Sequence, residues 1–201
     1  VQALAAQGKR ILFVSTKPQA RDIVKKAAQS CDMPYLVDRW IGGMLTNFTE
    51  INKLIKKYNT LKEQQASGEL EKYTKKEQLD IARNLTKMDL YIAGLSTLNK
   101  MPDVLFVPAV QREKTAMTEA ATTGVPVVGI CDTNANVRHV QHVIPANDDA
   151  VKSIDLMVGL VAEAIKAGNK EFEKNKAVTE KKAETNVNVK EQMDKKFGDK
   201  K

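Results

Sequence analysis

Short apolar runs alternate with amphipathic stretches in the first and last parts of the chain. Ile11–Val14 and Val104–Val107 are continuous apolar runs, typical of strands that are buried on both faces. A stretch with helical spacing follows each run; Pro18 suits the first turn of one, and Gly124 closes the other. Strands that alternate with helices indicate a parallel sheet covered on both faces, so we expect a doubly wound, three-layer α/β fold. The predicted strands are 11–14, 35–37, 104–107, 126–130 and 143–144, and the predicted helices are 16–31, 113–122 and 148–167.

Residues 47–101 follow another pattern, in which apolar side chains recur at spacings of three and four. This is coiled-coil spacing, and Ser67 and Gly68 divide it into two helices. We expect an inserted antiparallel α-helical hairpin with arms of roughly 30 Å, either projecting or packed flat on the domain. Asn47 is the predicted N-cap of the first helix, and Glu50 completes a capping box. The apolar positions are Ile51, Leu54, Tyr58 and Leu61, then Ile81, Leu85, Met88, Ile92 and Leu95.

These patterns predict three parts of the chain. Residues 1–46 and 102–167 form the sheet domain, and residues 47–101 form the hairpin inserted into it. Residues 168–201 form a charged, flexible tail, either a frayed helix or a solvated, disordered segment, because Lys and Glu dominate there with few apolar positions.

Charge becomes informative when it is sorted along the chain. The 201 residues carry 32 basic and 25 acidic side chains, a net charge of +7. Segments 1–46, 47–101 and 166–201 are all basic, whereas segment 102–165 has four basic against eight acidic side chains. The basic parts favour a polyanionic partner, and an aromatic content of 5% favours phosphate contacts over base stacking. We expect the acidic segment to face away from that partner, toward a basic protein.

The apolar runs and the cysteines indicate the compartment. No run approaches the roughly 18 residues of a membrane span. Cys31 and Cys131 are too few for a disulfide framework in a chain of this length. We therefore expect a soluble, cytoplasmic protein. The chain also begins in a helical pattern without Met, so we expect its natural start to lie upstream.

No catalytic, cofactor or metal motif is apparent at the predicted strand ends. The turn after the first strand, 15–20, lacks the glycines of a dinucleotide site, and Asp38 alone is a weak signal for one. His139 and His142 do not have the spacing of a zinc site. We expect no enzymatic activity, no cofactor and no metal. The alternative is a small-molecule or nucleotide-binding α/β enzyme that uses the carboxyl ends of the strands.

The ten residues RWIGGMLTNF, from Arg39 to Phe48, join the sheet domain to the hairpin. They contain the only Trp, two adjacent glycines and the start of a helix. Glycines allow positive φ and close approach of another surface, and free N–H groups in a first helical turn favour a phosphate. A structural interpretation is equally open, in which the glycines make a sharp exit and Trp40 packs over it.

The same ten residues resemble the signature of the bacterial ribosomal protein S2 family. Segments GKRILFVSTKPQAR, MPY, MPDVLFV, GVPVVGICDTN and VIPANDDAVKSI match that family in the same order, so the resemblance spans about residues 8–165. It implies a flavodoxin-like (Rossmann-like) α/β domain with an inserted coiled-coil hairpin. It also implies a structural, non-catalytic protein of the small ribosomal subunit, which binds the small-subunit ribosomal RNA among neighbouring ribosomal proteins. Members help to anchor the large mRNA-binding ribosomal protein built of OB domains.

The chain departs from the family pattern in three loops. Ser15 stands where Gly is usual, Pro108 and Ala109 interrupt a usual Val-Asp pair, and residues 134–137 replace a usual Asn-x-Asp-Pro. The residues that we predict to bind RNA combine cations for phosphates with groups that shape the junction. They are Lys17, Arg21, Arg39, Trp40, Gly42, Gly43, Asn47, Lys53, Lys56 and Lys57.

Overall fold

The computed structural model describes residues 1–198, and the side chains of residues 1–70 and 72–175. Its strands are β1 (Ile11–Val14), β2 (Tyr35–Leu36), β3 (Val104–Val107), β4 (Val127–Cys131) and β5 (His142–Pro145). Its α-helices are α1 (Gln2–Ala5), α2 (Pro18–Ser30), α3 (Phe48–Ser67), α4 (Lys75–Ile92), α5 (Lys114–Thr123) and α6 (Val151–Gly198). Contacts divide the chain into two compact units, residues 9–163 and residues 1–8 with 164–201.

The five strands form one parallel sheet in the order β2-β1-β3-β4-β5. Phe13 of β1 lies opposite Tyr35 on one side and Phe106 on the other. The chain therefore leaves β1 toward one edge and returns on its other side at β3, which makes the β1/β3 boundary the topological switch point. This is the α/β fold predicted from the sequence; β1 and β3 have the predicted bounds, and each bound of the other strands lies within one residue of its prediction.

The three central strands are buried along their whole length, as their continuous apolar runs predicted. Alternate residues point to opposite faces of the sheet. Phe13 and Phe106 meet edge to face, with ring centroids 5.1 Å apart and planes at 71°. On the other face, Leu12 and Leu105 belong to a large core that also includes residues of α3, α4 and α5.

Helices α3 and α4 are joined by a turn that Gly68 begins with a φ of +77°. The buried side chains of the pair are Ile51, Ile55 and Tyr58 of α3 and Leu85, Met88 and Ile92 of α4, and all six belong to the core against the sheet. Between Lys62 and Asn84 no described side chain is buried. The base of the pair is thus part of the domain core, and its distal half is exposed to solvent.

The capping box predicted for α3 does not form. Asn47 precedes α3, but its side chain makes no capping hydrogen bond, and Glu50 pairs with Lys53 at 2.7 Å instead. The capping box lies on α4, where the Thr74 side chain accepts from the backbone N–H of Glu77 and the Glu77 carboxylate accepts from Thr74. Those two residues have the same three-residue spacing and precede the second apolar stretch of the hairpin.

Helix α6 continues well past residue 167, where its apolar pattern stops. In the unit formed by 1–8 and 164–201, Gly168 lets α1 approach closely, since a Cβ at Gly168 would lie 2.4 Å from the Gln2 carbonyl oxygen. The Gln2 side chain also donates to Glu171 at 2.9 Å. The predicted flexible tail includes 199–201, which lie outside the described residues, and it stays a prediction. Within the described part of the chain, no helix has the length and apolar character that crossing a membrane requires.

Candidate nucleic-acid interface

The junction between sheet and hairpin is organised by Glu119, a residue of α5 that is only 8% exposed. The indole N–H of Trp40 donates to Glu119 Oε1 at 2.9 Å, and the backbone N–H of Gly43 donates to the same oxygen at 2.9 Å. Glu119 Oε2 accepts from the backbone N–H of Leu45 at 3.0 Å and, at 3.4 Å, from the backbone N–H and hydroxyl of Thr46. One carboxylate therefore holds residues 40–46 in place.

The same contacts keep Glu119 ionised. Burial is the largest single influence and opposes the charge, but the hydrogen bonds from Trp40, Leu45, Gly43 and Thr46 together outweigh it. The pKa of Glu119 is consequently lowered from its ordinary value. A buried carboxylate with several N–H donors is fully satisfied, and its loss would leave those donors without a partner.

Trp40 and the two glycines have different positions in this junction. Trp40 is 8% exposed and belongs to the core, so its indole face is not available for stacking on a base. Gly43 has a φ of +84°, where side chains are disfavoured, and a Cβ there would lie 3.3 Å from the Asn47 Cβ. Gly42 has an ordinary φ and open space around it. The backbone conformation at position 43 thus favours glycine, whereas Gly42 leaves an open surface.

Lys17 does not have the position that a phosphate contact requires. Its ammonium is buried, donates to the Asp148 carbonyl oxygen, and lies 3.0 Å from Asp148 Oδ1 and 2.7 Å from Asp149 Oδ1. Burial lowers its pKa, but the bonds to Asp149 and Asp148 exceed that effect and the pKa of Lys17 is raised. Lys17 is the internal counterion of an acidic group in which Asp132, Asp148 and Asp149 lie within 4.8 Å of one another.

Three arginines line a cavity of about 340 Å³ at the carboxyl ends of β1 and β2 and the start of α5. We call this the arginine cavity. Arg21 pairs with Asp38 at 3.1 Å, while Arg39 and Arg112 are exposed. The remaining lining residues are Thr16, Trp40, Glu113 and Thr115. The cavity lies next to the topological switch point, where open α/β sheets bind their ligands.

The hairpin lysines predicted to bind RNA are all exposed on α3. Lys53 is paired with Glu50, whereas Lys56 and Lys57 have no ion pair or side-chain hydrogen bond among the described residues. Asn47 is exposed too, one residue before the helix. The structure therefore presents Arg39, Lys56 and Lys57 with their full charge to solvent.

Sequence reasoning missed three buried acids of segment 102–165. Glu113 accepts from the backbone N–H of Thr16 at 2.5 Å and from its hydroxyl at 2.7 Å, Glu119 holds the junction, and Asp148 binds Lys17. These charges face the interior, so the surface of this segment is less acidic than its sequence suggests. One available signal was the position of Glu119 between Ala116 and Ala120 on the apolar face of α5.

Comparison with known proteins identifies relatives over most of the chain. The profile of the family described as ribosomal protein S2 matches residues 1–168. The protein named small ribosomal subunit protein uS2 of Parabacteroides distasonis is 44% identical over 168 residues, which cover 84% of this chain and 60% of that protein. Its namesakes in Wolinella succinogenes and Sulfurimonas denitrificans are 44% and 45% identical, over 89% and 84% of this chain and 68% and 65% of theirs. This chain thus spans 60 to 68% of the length of these curated relatives, and it belongs to the ribosomal protein S2 family.

Proposed function

We propose that the chain is a structural, non-catalytic component of the bacterial small ribosomal subunit that binds small-subunit ribosomal RNA in the cytoplasm. The observation that carries this proposal is the family match over residues 1–168, with relatives that are small-subunit proteins by name. The exposed charges of Arg39, Lys56 and Lys57 support it from the physical side. Cations of this kind displace the counterions around phosphates, which favours binding to RNA without any base-specific contact.

The proposed interface has a rigid part and an extended part. The rigid part is the junction 39–47, in which Glu119 holds the backbone and Gly42 leaves room for a close approach. The extended part is the exposed face of α3 with Lys53, Lys56 and Lys57. A preformed junction reduces the ordering cost of binding, because few groups must be fixed on contact.

Anchoring of the large OB-domain mRNA-binding protein belongs to the same proposal, together with contacts to neighbouring small-subunit proteins. The family resemblance is its support. Segment 102–165 carries the acidic surface expected to face a basic protein, although Glu113, Glu119 and Asp148 do not contribute to that surface because they are buried.

Co-sedimentation with ribosomal subunits tests the proposal. Small subunits depleted of their own uS2 are mixed with the chain, washed at moderate salt and centrifuged, with large subunits as the control. We expect the chain to sediment with small subunits and to stay in the supernatant of the large-subunit sample. Recovery of the chain in the supernatant of both samples would contradict the proposal.

A further inference from the structure

We propose that the arginine cavity binds one phosphate group of the RNA backbone, and that Arg112 is a principal ligand together with Arg39. The RNA source of the phosphate rests on the proposed function above; the preference for a phosphate rests on the cavity itself. Three arginines line a space of about 340 Å³. Guanidinium is the side chain that matches phosphate oxygens most closely, because its planar N–H groups can bind two of them at once.

The two carboxylates of the cavity do not neutralise these arginines completely. Asp38 is engaged by Arg21, and Glu113 Oε1 accepts both hydrogen bonds from Thr16. Among the residues that the structure describes, Arg39 and Arg112 form no ion pair and no side-chain hydrogen bond. The lining thus carries three positive and two negative side chains, a formal net charge of +1, and the two arginines without an ion pair follow different strands of the sheet.

Arg21 contributes positive charge to the cavity. Its Nη1 and Nη2 reach the side chain and carbonyl oxygen of Asp38, at 3.1 and 3.4 Å, and its Nε is buried without a hydrogen-bond partner. Because this Nε is closed to solvent, a ligand in the cavity meets other parts of the side chain, which is 42% exposed. The guanidinium of Arg21 therefore favours an anion through its charge.

The start of α5 and the surrounding contacts complete the site. Thr115 lies in the first turn of α5, a ten-residue helix whose free N–H groups and dipole favour an anion. Two hydrogen bonds fix the lining: the Glu113 carboxylate accepts from Thr16, and the Glu119 carboxylate accepts from Trp40. The geometry is thus largely formed before a ligand arrives.

Arg112 is the phosphate ligand that the charge distribution along the sequence does not predict. It belongs to segment 102–165, which the charge distribution predicts to face away from RNA as a whole. The fold instead places Arg112 in the same cavity as Arg39, which lies 73 positions earlier in the chain. Part of the acidic half thus contributes directly to RNA binding.

The first test measures the salt dependence of binding to small-subunit ribosomal RNA for the full chain and for Arg39→Gln and Arg112→Gln. Arg138→Gln is the matched control, since Arg138 is exposed and lies outside the cavity. Between about 50 and 200 mM salt, we expect each cavity variant to make the slope of log K against log salt shallower by roughly 0.7 to 0.9. The urea midpoints should match the wild type, because both arginines are exposed. Variants that bind with the slope of Arg138→Gln would overturn the inference and leave the proposed function standing.

The second test follows the Arg21 Nε–H resonance by NMR during titration with inorganic phosphate and, separately, with an RNA fragment. The Arg83 Nε–H is the control, because Arg83 lies on the hairpin beside Asp80. A shift of Arg21 with RNA supports the inference, whether or not phosphate alone produces it. A shift with phosphate but not with RNA would assign the site to a free phosphate and overturn the RNA source. No shift with either ligand would overturn the site. If RNA fails to bind at all, the proposed function fails, while the phosphate arm still tests the cavity.

Discussion

Glu119 is the residue whose contacts most clearly link the sheet to the proposed RNA surface. Its carboxylate gathers N–H donors from Trp40, Gly43 and Leu45, which are 74 to 79 positions away in the chain. Buried hydrogen bonds to a charged group contribute more than neutral ones, and removal of the acceptor leaves several donors unpaired. The conformation of the junction therefore depends on a side chain that never needs to touch RNA.

Replacing Glu119 with glutamine tests this dependence. The amide of glutamine keeps one acceptor oxygen, but its NH₂ group would face N–H donors of the junction. We therefore expect Glu119→Gln to lower the free energy of unfolding by about 3 kcal/mol in urea denaturation. Glu163→Gln, at an exposed position of α6, is the control and should change it by less than about 0.5 kcal/mol.

The pH dependence of that difference follows from the lowered pKa of Glu119. A carboxyl group whose pKa is lower in the folded state contributes stability above its unfolded pKa, and loses that contribution as pH falls through the folded value. The gap between wild type and Glu119→Gln should be complete at neutral pH and should narrow below about pH 4.3, near the unfolded value for Glu. A gap that stays constant down to the acid unfolding of the protein would contradict this account.

Lys17 illustrates a residue whose charge serves the fold. Its replacement by methionine leaves Asp148 buried without a counterion, so we expect Lys17→Met to cost about 3 to 5 kcal/mol in unfolding free energy. The salt slope of RNA binding should not change. Lys25→Met, at an exposed position of α2, the helix that follows Lys17, should leave stability nearly unchanged. A Lys17→Met variant that is as stable as the wild type but has a shallower salt slope of RNA binding would contradict this account. It would identify Lys17 as a phosphate ligand.

Local sequence could predict these residues only in part. Arg39 and the α3 lysines are exposed, as polar positions outside an apolar stripe should be. Lys17 and Trp40 were predicted to bind RNA because of their type and their place beside a strand end or a glycine pair. Their actual partners, Asp148 and Glu119, are 131 and 79 positions away, and no local pattern specifies such contacts.

At the scale of elements, the paired helices α3 and α4 have an unequal distribution of burial. Tyr58 is buried near the base, where its hydroxyl donates to Asp89, and Lys62 pairs with Asp89 at 3.0 Å. Beyond these contacts, from Lys62 to Asn84, none of the side chains that the structure describes is fully buried. The base therefore depends on the domain core, whereas the distal half depends on helix propensity and contacts between the two helices.

Truncation of leucines along α4 should reproduce that difference. Leu85 is 3% exposed and Leu79 is 52% exposed. We expect Leu85→Ala to lower the free energy of unfolding by about 3 kcal/mol, because it opens a cavity in the core. Leu79→Ala should change it by less than about 0.5 kcal/mol. Equal effects at the two positions, measured by urea denaturation, would contradict the assignment of the base to the core.

The elements themselves were largely predictable because their signals are local. Continuous apolar runs indicated the buried strands, and spacings of three and four indicated α3 and α4. Asn47 is the N-cap of α3, as predicted, but the capping box was predicted wrongly, because the Asn47 side chain makes no capping hydrogen bond and Glu50 pairs with Lys53. Whether α6 continues past residue 167 was left open between a frayed helix and a solvated tail, because a polar stretch has no apolar periodicity from which a helix could be inferred.

At the scale of the whole molecule, the parallel sheet brings distant segments together at one edge. Thr16, Asp38 and Glu113 follow or lie near three different strands, yet they line one cavity with Arg21, Arg39 and Arg112. In the order β2-β1-β3-β4-β5, strands β2 and β3 lie on either side of β1. Because the three strands are parallel, the segments that follow them meet at the carboxyl edge of the sheet. Charge counted along the sequence therefore differs from charge as it is presented to a partner.

The central claim is that this surface binds ribosomal RNA through phosphate contacts. The most direct measurement is the affinity of the wild-type chain for small-subunit ribosomal RNA over a range of salt concentrations. Arg39, Arg112, Lys53, Lys56 and Lys57 are the expected contacts, so log K should fall linearly with log salt, with a slope of about −3 or steeper. An affinity that does not change with salt would contradict the claim.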